Sequence, residues 1–266
     1  METAAPPASY RPPSGFTDVL RSELCKLRSV RSTYWMLFAA VAFNVGLAAL
    51  LAAFLPGRLS ADDKATLDPI RVSLGGIHLS QIAFGALGVL VITSEYDTGM
   101  IRATLSAVPQ RRLMLAAKMV VFAVTALSVG IFASFAAYFV FRLFLSGDSL
   151  PSSIGDPDVL RALIGGGLYV TVLGLFGLGL GAIIRSSAGA IAALFGVLFV
   201  PQLVAELLPQ WKESIGPYLP MEAGSQIFSL HHEASALGAW TGFGVFCLYA
   251  AVALGVGFFL INHRDA

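Results

Sequence analysis

Charge is what this 266-residue chain has least of: Asp, Glu, Lys and Arg make up 12% of it, against about 25% in an ordinary soluble domain. A water-soluble surface cannot be covered with so little charge. Cysteine is nearly missing as well. Cys25 falls in a polar segment and Cys247 in an apolar run, so no disulfide framework is expected. No Gly-x-x-x-x-Gly-Lys-Ser/Thr loop occurs, and not even a Gly-Lys pair, so the chain carries no phosphate cradle of that kind. His-Glu-x-x-His and Gly-x-Ser-x-Gly are absent too, and no acidic pair lies within an apolar run, which argues against a membrane protease or hydrolase. The net charge of +1 provides no field for nucleic acid, and none is expected as a partner.

What is present is a set of long apolar runs. A spanning helix needs about 20 such residues, each rising about 1.5 Å through roughly 30 Å of hydrocarbon. Six runs qualify: Trp35 to Leu55, Leu74 to Thr93, Met119 to Phe141, Ala162 to Ile184, Ser186 to Ala205, and Trp240 to Ile261. None holds a charged side chain, so they do not read as amphipathic surface helices, and being apolar on every face they do not read as barrel strands. The expected fold is all-α, a polytopic membrane protein with six transmembrane helices. The Pro- and Ala-rich start, 1–15, lacks an apolar core and reads as a tail rather than a signal peptide.

Orientation follows from the basic residues, which are retained on the cytoplasmic side. Arg11, Arg21, Lys26, Arg28, Arg31, Arg102, Arg111, Arg112, Lys118, Arg185 and Arg264 fall on one side of the six runs. The other side holds fewer bases and most of the acids, so both termini are expected in the cytoplasm. Arg185 and a few small residues form the whole turn between the fourth and fifth runs. The fifth and sixth are joined by a long outer connection, about 206–239, with Pro209, Trp211, Pro217, Tyr218 and Pro220. Its apolar pieces are too short to span, and it either re-enters the outer leaflet or lies on it.

Two polar segments stand out. Over 16–34, Phe16, Leu20, Leu24 and Leu27 recur at helical spacing, with Arg21, Lys26 and Arg28 on the remaining surface. Such a helix suits the membrane interface, apolar side chains among the acyl chains and basic ones at the headgroups; a plain topology anchor is the alternative. Over about 97–109, Asp97 or Thr98 can cap a short helix on which Met100, Ile101, Thr104, Leu105 and Val108 share a face, ended by Pro109. Flanked by Glu95 and Arg102, that ridge suits insertion into a groove on a soluble partner; a helix resting on the membrane is the other reading.

The stretch from Ser22 to Trp35, with its Glu-x-x-Lys-Leu-Arg pattern at Glu23, Lys26, Leu27 and Arg28, resembles the start of bacterial ABC-2 type transporter permeases. So does Glu95-Tyr96-x-Thr98-Gly99-x-Ile101-Arg102, followed by Pro109-x-Arg111-Arg112 and Ala117-Lys118; Tyr218-Leu219-Pro220 with Ala223-Gly224 is a weaker match. The close likeness covers Phe16 to Lys118. It implies a permease subunit of an ATP-driven exporter, 16–34 being the elbow helix and 97–109 the coupling helix seated on a separate ATPase subunit, with Arg185 a second, smaller contact. It further implies a second permease copy or paralogue and a bacterial plasma membrane, with ATP and Mg on the partner and no cofactor on this chain. The six-helix domain is then 35–262, with a short tail at 263–266. Charged substitutions at Ile101 or Leu105 are expected to disrupt co-purification with the ATPase. A secondary transporter or channel is the alternative, but neither internal repeats nor midplane charges are visible.

Polar residues inside the runs are the remaining candidates: Asn44, His78, Gln81, Tyr138 and Gln202. Each either lines a wet path or, as the blander reading has it, bonds between helices, worth about 0.6 kcal/mol on average. Pro201 is expected to kink the fifth helix. Gly177 and Gly181 have the small-xxx-small spacing of close helix packing. His231, His232 and Glu233 have metal-ligand chemistry but no completing residue nearby.

Overall fold

The computed structural model describes residues 15–54, 69–107, 110–144, 155–230 and 236–263. Among these, every regular element is helical. Helix α1 (Phe16–Ser29) leads into α2 (Arg31–Phe54); α3 (Pro69–Ser73) precedes α4 (Ile77–Asp97), α5 (Ile101–Ala107) and α6 (Arg111–Phe144). Then come α7 (Pro157–Ile184), α8 (Ser187–Leu207), α9 (Pro209–Ser214), α10 (Pro220–Ser225) and α11 (Ala239–His263). Helices α2, α4, α6, α7, α8 and α11 are long and apolar enough to cross a membrane, as the charge-free runs require. With six such helices in antiparallel succession, α1 and the last turn of α11 lie at the same end of the bundle, called here the terminal end; the opposite is the far end.

Several boundaries differ from the sequence expectation. The interfacial helix stops at Ser29, where extended Val30 breaks it, and the first span begins at Arg31. The second span runs on to Asp97 and the third begins at Arg111, so Glu95 and Lys118 lie on spanning helices rather than in the connection. Asp97 ends α4 and Thr98 is its C-cap; neither caps the short helix, which starts after Gly99, a glycine in the left-handed region at φ 71°. The helix α8 continues through Pro201 to Leu207. Val108, Pro109, the His231–His232–Glu233 group, Arg264 and most of the N-terminal tail lie outside the described residues.

Helix α7 is the axis of the bundle, packed against α4, α6 and α11. Lipid is as apolar as leucine, so helices in a bilayer gain association from close van der Waals packing, and glycine permits it. On Gly88 of α4 a Cβ would lie 1.9 Å from the Gly174 carbonyl oxygen of α7. Gly177 meets the Gly85 carbonyl of α4 in the same way, while Gly167 faces Ile131 of α6 and Gly179 faces Ala253 of α11. The glycines of α7 therefore serve packing on three sides. Outward the bundle shows large apolar side chains, among them Phe38, Phe132, Leu203, Val252 and Phe259, a surface suited to lipid and not to water.

The long far-end connection folds back onto the bundle. Pro217, Pro220, Ala223, Gly224, Ile227 and Phe228 are buried, and Gly224 meets Phe246 and Tyr169 closely. Arg161 fixes it, donating from Nη1 to the Ile227 carbonyl and from Nη2 to the Ser229 carbonyl, both at 3.1 Å. Cover by protein of this kind is what makes irregular backbone tolerable at membrane depth.

A Gly88→Ala substitution is expected to lower stability by about 1–3 kcal/mol through overpacking against an immobile backbone. Gly196→Ala, with open space around its Cβ, is the control, expected to be neutral or to gain up to about 1 kcal/mol from helix propensity. Thermal unfolding of the two purified variants in detergent checks the pair.

Candidate functional site

At the terminal end three helices meet on four charges. The helical repeat of α1 places Val19, Glu23 and Lys26 toward the bundle, with Val19 and Glu23 buried. Phe16 and Leu24 remain exposed and Leu20 and Leu27 half-buried, leaving the apolar face largely free of protein; Arg28 is exposed. Glu95 comes from the last turn of α4 and Lys118 from the second turn of α6. Glu23, Glu95 and Lys118 are 5%, 6% and 2% exposed.

Lys118 Nζ donates to Glu23 Oε2 and Glu95 Oε1, each at 2.7 Å. Lys26 Nζ donates to Glu23 Oε1 at 2.8 Å, to Glu95 Oε1 at 3.0 Å and to Thr104 Oγ1 of α5 at 3.4 Å. Two carboxylates and two ammonium groups sum to zero charge. An isolated carboxylate here would be strongly penalised by desolvation, and four charges in alternation with hydrogen bonds offset that penalty. Burial alone would lower the affinity of Lys26 for its proton, but Glu23 and Glu95 outweigh it and hold the ammonium above its ordinary value of 10.5. The cluster thus ties α1, α4, α5 and α6 into one body.

Helix α5 is oriented opposite to the sequence expectation. Ile101 and Thr104 are buried and Leu105 packs half-buried against the core, so these residues hold α5 onto its own chain. Glu95 likewise points inward to the lysines and does not flank an outer ridge. Met100, grouped with Ile101, Thr104 and Leu105 by helical spacing, precedes the helix and is exposed, so the expected ridge is split. The outward surface is instead Asp97, Thr98, Gly99, Met100, Arg102, Ala103 and Ser106, with Met100 53% exposed.

The fourth turn of the terminal end joins the same region. Arg185 C-caps α7 at φ 60°, its N–H donating to the Gly181 carbonyl, and its guanidinium lies 5.1 Å over the Tyr96 ring, a cation–π contact. Beside it Ser187 of α8 donates to Asp97 and lies 2.6 Å from Thr93 Oγ1. Arg111 Nη1 donates to the Ile261 carbonyl at 3.0 Å, tying α6 to α11.

The polar residues of the spans divide. Gln81 is buried and accepts from Tyr169 Oη at 2.6 Å, an α4–α7 bond. Tyr138 is buried and accepts from Arg142 one turn along its own helix at 3.1 Å. Asn44 is buried where α2 passes Gly76, its Oδ1 without a hydrogen-bond partner, and Gln202 Oε1 is in the same state. His78 is exposed, its ring 6.1 Å from that of Phe228. These five are not brought together. Among the described residues no group of His, Cys, Asp and Glu could hold a metal ion.

In the sequence Lys26 and Glu95 stand out as separate features, and nothing there marks Glu23 or Lys118 by itself as a site residue. The available signal was that all four lie in the motifs that carried the family resemblance.

Lys118→Met is expected to cost about 3–5 kcal/mol, because it removes the more deeply buried of the two cations that neutralise Glu23 and Glu95 and leaves Lys26 alone against both; urea unfolding monitored by circular dichroism checks it. Because its proton affinity rises on folding, Lys26 stabilises the fold fully below pH 10.5 and loses that contribution as pH climbs through the higher folded value. Lys26→Met should remove this alkaline component of the unfolding profile.

No curated protein matches the chain. The family described as ABC-2 family transporter protein matches it over residues 19–203, from the first turn of α1 to near the end of α8. That span contains all four charges of the cluster, the short helix behind them and five of the six spanning helices, and the chain therefore belongs to the ABC-2 transporter family as a multi-pass permease.

Proposed function

We propose that this permease is the transmembrane subunit of an exporter driven by a separate ABC ATPase, which docks on the outward face of α5 and the adjoining end of α4. The observation that carries this reading is the mechanical linkage. Asp97, Thr98, Gly99, Met100 and Arg102 are exposed on a segment whose other side is held by Ile101 and by the Lys26–Thr104 bond to the buried ion cluster. A push on that segment reaches α1, α4 and α6 together rather than bending one loop. ATP and Mg belong on the partner, and movement of α4 against α7 is resisted by the glycine contacts, which favours rigid-body motion.

In this reading the terminal end faces the cytoplasm of a bacterial cell, α1 lies at the interface as an elbow helix, and a second permease copy or paralogue completes the path. The exposed aromatic and aliphatic faces suit an amphipathic cargo: a small molecule, peptide or lipid. Arg185, turned back onto Tyr96, acts by positioning the end of α4 rather than as an independent contact.

Co-purification with an ABC ATPase, expected to be encoded beside the gene, tests the proposal. Met100→Glu with Arg102→Glu is expected to abolish capture while changing stability by no more than about 0.5 kcal/mol, as exposed substitutions do. Ile101→Asp should instead unfold the chain, because it buries a charge without a partner. Transport by the chain alone in ATPase-free vesicles would overturn the reading.

A further inference from the structure

Beside the ion cluster, between α1, α2, α4 and the start of α6, is a cavity of about 350 Å³, within the roughly 300–1,000 Å³ of small-molecule sites. The Lys26–Glu95 and Ser80–Ala40 bonds set α1 and α2 antiparallel to α4, so its lining can be followed from end to end. The four charges form one end, Val30, Leu90 and Val91 the middle, and Thr33, Met36 and Leu87 the other end. Glu95 and Leu87 are about 12 Å apart along α4, which makes the space a slot.

The charged end offers a ligand little. Its groups bond to one another and sum to zero, and Glu95 Oε2, though unpartnered, is sealed from contact. The opposite end differs. Thr33 is 7% exposed and lines the slot, and its hydroxyl has no hydrogen-bond partner among the described residues. Hydroxyls on helices commonly bond back one turn, as Ser80, Ser94 and Thr98 do; that of Thr33 does not. Its Oγ1 keeps accessible surface, unlike Glu95 Oε2. A buried hydroxyl proton without an acceptor is unfavourable, and the side chains of Leu87 and Val91 supply none. A carbonyl oxygen on an apolar molecule would meet that proton while hydrocarbon fills the rest of the slot. A charged group would find no counter-ion, because the ions at the other end are already paired.

We infer that the slot binds an uncharged, mostly hydrocarbon molecule whose single carbonyl oxygen accepts a hydrogen bond from Thr33 Oγ1. The site lies within one subunit and stands without the ATPase partnership. An acyl ester of a bilayer glycerolipid and a free ketone or ester share that chemistry.

The test is saturable binding of radiolabelled 2-undecanone to the full chain in nanodiscs of ether-linked phosphatidylcholine, which has no ester carbonyl, after subtraction of empty discs. Undecane, without the oxygen, should compete about three- to tenfold more weakly at equal mole fraction in the lipid, and permanently charged undecyltrimethylammonium more weakly still. Thr33→Val keeps the side-chain shape and breaks no bond in the structure. It should leave the unfolding temperature unchanged or raised and lower 2-undecanone binding to the level of undecane. Met36→Trp, which fills the end beside Thr33, should weaken both ligands alike. Repeating the measurement in ester-linked discs identifies the source: a weaker apparent affinity there assigns the slot to a lipid ester, an equal one to a free molecule. No saturable binding, undecane or undecyltrimethylammonium competing as well as 2-undecanone, a ketone preference that survives Thr33→Val, or unaltered binding by folded Met36→Trp would overturn the inference.

Discussion

Two glutamates that cannot be buried alone set the form of the terminal end. Glu23 and Glu95 are far apart in sequence and come from different helices, yet each is removed from water against Lys118. A carboxylate in such a place forces its surroundings to supply cations in register, so α1 cannot drift from the bundle without exposing an uncompensated charge. Lys26, partly open to solvent, completes the set and extends it to Thr104. The position of α1, the ends of two spans and the seating of α5 are consequences of that one requirement.

The rest of the bundle obeys a different constraint. Around α7, carbonyl oxygens of α4 occupy positions a Cβ would need, and shape rather than charge holds the helices. The middle of the bundle and its terminal end are thus held by different interactions, close backbone packing in the one and paired charges in the other. The far-end connection, locked by Arg161 and packed on Tyr169 and Phe246, gives the opposite end similar rigidity.

The six spans were legible because runs without charge admit no other reading in a chain so poor in charge. Their ends were not, and the reason is the cluster itself. Hydropathy treats Glu95 and Lys118 as loop residues, whereas their mutual neutralisation lets both helices run past them. The Glu23–Lys26 pair is local and visible at i,i+3; the bonds from Lys118 to Glu23 and Glu95 join distant segments and leave no periodic trace. Of the ridge expected at Met100, Ile101, Thr104, Leu105 and Val108, Ile101, Thr104 and Leu105 turn inward while Met100 is exposed, since helical spacing reports neither where the helix starts nor what covers its face. Arg185 illustrates the same limit: its turn was evident, but its left-handed backbone and its place over Tyr96 are tertiary facts.

The account turns on α1 and α5 being held as one body by the buried charges, and amide hydrogen exchange measures that directly. In the wild-type chain and in Lys118→Met, protection should be compared for amides of α1 after its first turn and for those of α5. If the buried charges hold the two helices as one body, protection in both falls together and by a similar factor while that of α7 is retained. Loss confined to one helix, with the other protected as in the wild type, would contradict it.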